Sequence, residues 1–228
     1  MKNIVDAIID YKKSYNKDIW ELPTNVPLEI PNSIEGNYEK NIFLKKNIFK
    51  ILKNDDSLNT HYWIIQEWGG ISSFKKNPKN DLRIRKFLNE ISIGKLSKDS
   101  FSCISSLSKI ASFLDPENFV IYDSRAIYSL NWLIFNHGNP ESLYPQPAGR
   151  NAEIVKYDMA TIFRLSGRSF DYKSYDIAFH HYCDCIKSLN EKVYGSIKEP
   201  YLLEMLLFSI ATPNVIDSIK KRVKVNIS

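Results

Sequence analysis

The chain has 228 residues, of which 43% are apolar and 25% charged. That balance excludes a wholly disordered chain and fits one large domain or two small, closely packed ones. A net charge of +5 tolerates a polyanionic partner without requiring one.

In chain order, MKNIVDAIIDYKK spaces Ile4, Ala7, Ile8 and Tyr11 as a helix would, within residues 1–19. Asp6 and Asp10 interrupt it, so it lacks the apolar core of a signal peptide. ELPTNVPLEIPNSIEG carries three prolines and reads as an extended, turning connection. From Asn37 to Lys53 the pattern is helical again, with Ile42, Phe43, Lys46, Phe49, Ile51 and Leu52 mostly on one side. NDDSLNTHYWIIQEWGG begins with capping residues, runs through an apolar stretch and stops at Gly69-Gly70. A basic run follows: Lys75, Lys76, Lys79, Arg83, Arg85 and Lys86, against Asp81 alone. Its second half merges into a helix over 80–93 whose apolar positions are Leu82, Ile84, Phe87, Leu88 and Ile91.

The stretch SSLSKIASFLDPENFVIYDSRAIYSL, Ser105 to Leu130, is the most legible. Ile104, Leu107, Ala111 and Leu114 fall within an arc of about 80° on a helical wheel. Lys109 lies away from that stripe, beside Ser105 and Ser112, where a lysine is ordinarily exposed. Asp115-Pro116 ends the helix, and Phe119 to Tyr122 bridge to a second helix with Ile127, Leu130 and Ile134 on one side. Asp123 stands where that helix begins, as an N-cap would. The same position suits a catalyst. Helix N–H groups keep a carboxylate there ionised, and it can stabilise a sugar cation as an N-glycosidic bond breaks. Lys109, if partly buried, could lose its proton and attack a sugar carbon.

HGNPESLYPQPAGR is a loop by composition, and 151–166 is helical. DYKSYDIAFHHYCDCIKSLNEKVYG is a long helix ending near Gly195, and 200–211 gives a last apolar helix. The tail adds Lys220, Lys221, Arg222 and Lys224. YLLEMLLFSIA is the nearest approach to a membrane span, but it is short and carries Glu204. Period-2 alternation is nearly absent, so the expected class is all-α. Three cysteines, Cys103, Cys183 and Cys185, form no disulfide framework and fit a reducing, cytoplasmic setting. Beside His180 and His181 they fall short of a structural metal set, and three cannot hold an iron–sulfur cluster. Neither a Walker loop nor a Gly-x-Ser-x-Gly elbow is present.

SKIASFLDPENFVIYDSRA, Ser108 to Ala126, resembles bacterial 8-oxoguanine-glycosylase-like members of the helix-hairpin-helix DNA glycosylase superfamily. YWIIQEWGGISSF, Tyr62 to Phe74, and YLLEMLLFSIA, Tyr201 to Ala211, look like the same group. The resemblance implies an all-α, two-lobed domain over 1–228, with residues 1–36 as a helical segment and Pro-rich connection. DNA would lie between the lobes, bound by a monomer that needs neither cofactor nor metal nor membrane. Lys109 matches the superfamily's hairpin lysine and Asp123 its aspartate. The aspartate alone implies base removal by water, and both together imply a Schiff base as well. The usual Leu-Pro-Gly-Val-Gly before the lysine is here ISSLS, Ile104 to Ser108, a modified hairpin without the glycines that expose N–H groups to a phosphate.

A flipped base needs an aromatic wall, for which Trp63, Trp68, Phe119, Tyr122 and Trp132 are candidates, although such residues are commonly core. Lys75, Lys76, Lys79, Arg83 and Arg125 are candidates for the DNA backbone, although a basic helix face is commonly just solvated. The expected activity is excision of a damaged or modified base, in DNA repair or antiviral defence. The alternatives are a glycosylase-like protein that only binds nucleic acid and a helical protein-interaction module.

Overall fold

The computed structural model describes residues 3–149 and 151–223. Lys224 and Val225 of the basic tail lie outside the described residues, as does Arg150 at the end of the proline-rich loop. Among the described residues the regular structure is helical, with one isolated parallel bridge between Leu143 and Tyr172. The class is therefore all-α.

Helix α1 (Ile4–Lys13) starts where the Asn3 side chain accepts from Asp6 N, which satisfies one of the free N–H groups of the first turn. Residues 14–36 then run without a helix, as the prolines require. The next expected helix is two: α2 (Asn37–Asn47) and α3 (Phe49–Lys53). Its buried face is Tyr38, Asn41, Leu44, Lys45, Ile48 and Leu52, not the one the apolar pattern indicates, and Lys46 is exposed. The apolar pattern misleads here because two of the buried residues are polar.

Helix α4 (Asn59–Trp63) passes into a π-helical turn, Ile64–Trp68, and stops at Gly69-Gly70. Helix α5 (Pro78–Ile93) has Pro at its first position and buries Ile84, Phe87 and Ile91. Leu82, expected on that face, is 69% exposed. The short α6 (Lys98–Ser102) is joined through Cys103 to α7 (Ile104–Leu114).

Helix α8 (Ser124–His137) is the central element. Residues Ala126 to Phe135 are all buried, and the Ser129 hydroxyl donates to the Leu207 carbonyl at 2.7 Å. Each fully buried Leu, Ile or Phe there contributes roughly 1.5–3 kcal/mol. The segment 151–166 forms two short helices, α9 (Ala152–Lys156) and α10 (Met159–Leu165). Helix α11 (Tyr175–Tyr194) ends at Gly195, whose φ of 72° suits glycine.

The last helix is longer than the apolar pattern indicates. After α12 (Tyr201–Ile210), a π turn, Ala211–Val215, takes in Pro213, and α13 (Ile216–Arg222) continues. A proline that reads as a stop is absorbed by the wider turn. Tyr201–Arg222 is thus long and apolar enough to cross a bilayer by length and composition. Leu203, Leu206, Leu207, Ile210, Val215 and Ile219 of this run are buried in the main core.

Three apolar clusters result. The main one surrounds α8, a second joins Leu44, Ile48, Leu52, Ile64 and Phe113, and a third joins Tyr38 to Tyr201 and Met205. The cavity described next is lined from α2, the first π turn, α7, α12, the N-cap and first turn of α8, and the connection that holds Trp20.

Candidate functional site

The backbone brings the lysine and the aspartate together through their neighbours. Ser108 and Tyr122 immediately precede Lys109 and Asp123, and the Tyr122 N–H donates to Ser108 Oγ at 2.9 Å. The chain leaves α7 at Asp115 and returns alongside it. Asp123 has extended backbone (φ −95°, ψ 150°) and is the N-cap of α8, its Oδ1 accepting from Arg125 N at 2.8 Å.

Lys109 is 6% exposed, not a surface lysine. Its stem crosses Gly69. A Cβ on that glycine would come within 2.6 Å of both Lys109 Cδ and Cε, and 2.8 Å from the Ile65 carbonyl oxygen. The glycine that closes the π turn is therefore the space the lysine uses.

Two further charges are buried nearby. Lys45 is 2% exposed, and its Nζ donates to Ser112 Oγ at 3.2 Å. That hydroxyl donates in turn to the Lys109 carbonyl at 2.9 Å. The Lys45 ammonium also lies 4.7 Å from the Phe113 ring centroid and 5.6 Å from that of Trp68, within cation–π range. Glu204 is also 2% exposed, and its Oε2 is buried with no hydrogen-bond partner. Burial raises the Glu204 carboxyl to about 7; Lys45 and Lys109 pull it down, and Asp123 pushes it up. Burial lowers the Lys45 ammonium to about 8 against the pull of Glu204, with Lys109 lowering it further. Desolvation outweighs pairing for both, so each is held toward its neutral form.

These four groups line one cavity of about 260 Å³. Its aromatic lining is Trp20 from the proline-rich connection, Trp68 from the π turn and Phe208 from α12. Trp68 Nε1 donates to Asn41 Oδ1 at 2.6 Å, and Trp20 packs on Phe208 with centroids 5.4 Å apart. The cavity adjoins a larger groove of about 790 Å³. Gly69, Lys109, Asp123, Arg125 and Phe208 line both, whereas Lys45 and Glu204 line only the smaller. Arg125 stacks on Phe208, its guanidinium carbon 4.7 Å from the ring centroid.

No protein-family model matches the chain, and neither the curated proteins nor the solved structures contain a significant match.

The cavity is a small pocket lined about equally by apolar residues and by charged or polar ones, and polar groups converging in a pocket are the usual mark of a ligand site. It places an amine and a helix-capping carboxylate at its mouth and a second, unpartnered carboxyl inside it. Such a set can stabilise positive charge, supply a nucleophile and move a proton.

Of the aromatic residues singled out in the sequence, Trp68 lines the cavity. The other four do not. Trp63 packs with the second apolar cluster, and Phe119 stacks on Phe179. Tyr122 is fully buried, its hydroxyl donating to the Pro145 carbonyl, and Trp132 is buried against Ser218. Their rings complete the core around α8 and α7, which leaves none of them free to face a ligand. Burial, with Cys183 adding to it, holds the Tyr122 hydroxyl well above its ordinary range.

Arg125 lies at the mouth, but the basic run is largely tied to its own surroundings. Lys76 Nζ donates to the Ser57 carbonyl and Asn59 Oδ1, Arg83 pairs with Asp99 at 3.0 Å, and Arg85 donates to the Asp56 carbonyl. Lys75 and Lys79 are exposed, and Lys75 follows Ser73 and Phe74, which line the groove. His181 Nδ1 is 2.8 Å from the Tyr144 hydroxyl, and Cys183 is buried. Among the described residues no group of three or more such side chains could hold a metal ion.

The residues missed from sequence are Lys45, Glu204, Trp20, Asn41 and Phe208. A charge inside YLLEMLLFSIA was the available signal for Glu204. Lys45 and Asn41 stand one helical turn apart on α2, a signal visible only with the polar face turned inward.

Proposed function

We propose that the protein is a two-lobed DNA glycosylase of the helix-hairpin-helix type that excises a damaged or modified base. The observation that carries this reading is Lys109 and Asp123 together at the mouth between a small aromatic cavity and a larger groove. In this reading the duplex lies along the groove, a monomer grips its backbone near Arg125, and one base is extruded into the cavity. The cavity volume of about 260 Å³ falls just below the roughly 300–1,000 Å³ typical of drug-sized ligands, as suits a single planar group. Neither a cofactor nor a metal is needed, and the setting is cytoplasmic.

The Asp123 carboxylate faces the sugar and stabilises the oxocarbenium-like charge that develops as the C1′–N bond breaks. The base leaves with the electron pair of that bond. The vacant C1′ takes the oxygen of water, whose proton passes to solvent. Alternatively it takes the nitrogen of the neutral Lys109 amine, which gives up a proton to solvent; the C1′–O4′ bond then breaks, O4′ takes a proton, and a C1′=N Schiff base is left. The buried lysine stem, held over Gly69, supports the second route.

A binding-only protein is the second reading, favoured by ISSLS standing in place of a glycine-bearing hairpin. The test is a panel of duplexes with modified bases under single-turnover conditions, with borohydride present. The expected result is base release and a covalent protein–DNA adduct that disappears in Lys109→Ala. Tight binding with no release from any duplex would overturn the glycosylase reading.

A further inference from the structure

Glu204 has no role in the chemistry just described, yet among the described residues it is the one with a buried, unpartnered side-chain polar atom that lines the cavity. A buried carboxyl with an unpartnered oxygen costs stability and calls for a ligand or a reaction to account for it. Its place in the cavity is informative. Lys109 and Asp123 line both cavity and groove, while Glu204 lines the cavity only. A base inserted from the groove would have its sugar at the Lys109 and Asp123 end and its ring at the Glu204 end. We propose that Glu204 is the acid that protonates the departing base, an inference that rests on the glycosylase reading.

The step balances without an added reagent. The Glu204 carboxyl gives its proton to an acceptor nitrogen or oxygen on the base ring. The C1′–N bond breaks and its electrons pass into the ring, so that the base leaves neutral. Glu204 remains as a carboxylate beside the Lys45 ammonium. Solvent, or Lys45 itself, returns the proton once the base has gone.

Burial favours the acid form before reaction, against the pull of the two lysines. Lys45 of α2, Lys109 of α7 and Asp123 at the start of α8 act on Glu204 directly. Tyr15, following α1, and Tyr182 and Cys183 of α11 also face it, and burial keeps all three protonated. Glu21 and Arg125 complete the charged lining of the cavity. The net effect places Glu204 near 7, where a carboxyl is available both to give and to regain a proton.

The test uses the base that wild-type protein releases and ring-fluorinated analogues whose anions leave more readily. Wild-type rates on the parent base should fall by about tenfold per pH unit above the ionisation of Glu204. Glu204→Gln keeps the shape but has no acidic proton. It should slow the parent base by roughly 10²–10⁴-fold and recover progressively along the fluorinated series, with duplex affinity intact. Comparing rates along the series cancels the ionisation of Lys109 and Asp123, which is common to every member.

A parent-base rate in Glu204→Gln near that of wild type would overturn the proposal. So would an equal loss along the whole series, which marks a merely structural role. Should the variant fail to fold, a wild-type rate on the parent base that rises steadily from acid to alkaline pH would overturn it just as well. No release by wild-type protein from any duplex is a separate outcome: it refutes the glycosylase reading and removes the reaction in which Glu204 would act.

Discussion

Asp123 is asked to do two things, and two substitutions separate them. As N-cap it accepts from Arg125 N at 2.8 Å. Asn preserves that acceptor and Ala removes it. Losing an N-cap costs about 0.5–2 kcal/mol. For a chain of 228 residues that is a melting-temperature fall of about 1–8 °C in Asp123→Ala, taking roughly 2–4 °C per kcal/mol. Asp123→Asn loses only the attraction of a charge for the helix terminus, about 0.3–1 kcal/mol, part of which is offset by easier burial. Catalysis should rank the pair differently. If Asp123 steadies the sugar cation as proposed, both variants lack that charge and both should lose about 10²–10³-fold in single-turnover base release. Thermal unfolding by circular dichroism and release measured on one duplex give the two numbers. Equal activity losses with unequal stability losses are expected. An Asp123→Asn variant that releases base at the wild-type rate would show that the carboxylate is a cap and nothing more.

Gly69→Ala would put a methyl group 2.6 Å from the Lys109 stem and 2.8 Å from the Ile65 carbonyl oxygen. The stem can move but the carbonyl cannot easily, so a loss of about 1–3 kcal/mol is expected in urea unfolding. Borohydride trapping should fall further than duplex affinity does, and unchanged trapping would mean that the lysine does not depend on this glycine. For the basic run, replacing Lys75, Lys76 and Lys79 together by Ala should weaken every duplex alike and shrink the salt slope by roughly one unit per lost phosphate contact. Binding titrations at several salt concentrations decide it, and unaltered affinity would return the run to ordinary solvated surface.

The fold was legible where burial is apolar. Helix α7 and the start of α8 stand where the spacing of Ile104, Leu107 and Ala111 and the position of Asp123 put them. The pattern failed where burial is polar. Nothing in the apolar spacing of 37–53 announces that Asn41 and Lys45 turn inward, because the partners that make this tolerable, Trp68 and Ser112, are distant in sequence. Lys109 reads as exposed for the same reason: the surface that covers it comes from Gly69 and α2. Of the aromatic candidates Trp68 lines the cavity and the other four lie elsewhere. Tyr122 directly precedes the aspartate and Trp132 lies on the helix that the aspartate caps, but both are turned into the core. Trp20 was hidden by its surroundings, since a proline-rich connection gives no periodicity from which to read a facing direction.

The buried Lys45 and Glu204 also define how far this sequence stands from the most durable version of its own fold. Taking ionisable groups out of water is costly, and apolar residues of similar volume in their place are often neutral or stabilising. A sequence chosen only for resistance to heat would therefore tend to erase both residues and close the cavity over them. Retaining them is a sacrifice of robustness localised to one pocket, the pattern expected where activity and stability compete for the same positions. Consensus or thermostability engineering of this chain should accordingly hold Lys45 and Glu204 fixed and take its gains elsewhere, at exposed apolar positions such as Leu82 and Ile93 on α5.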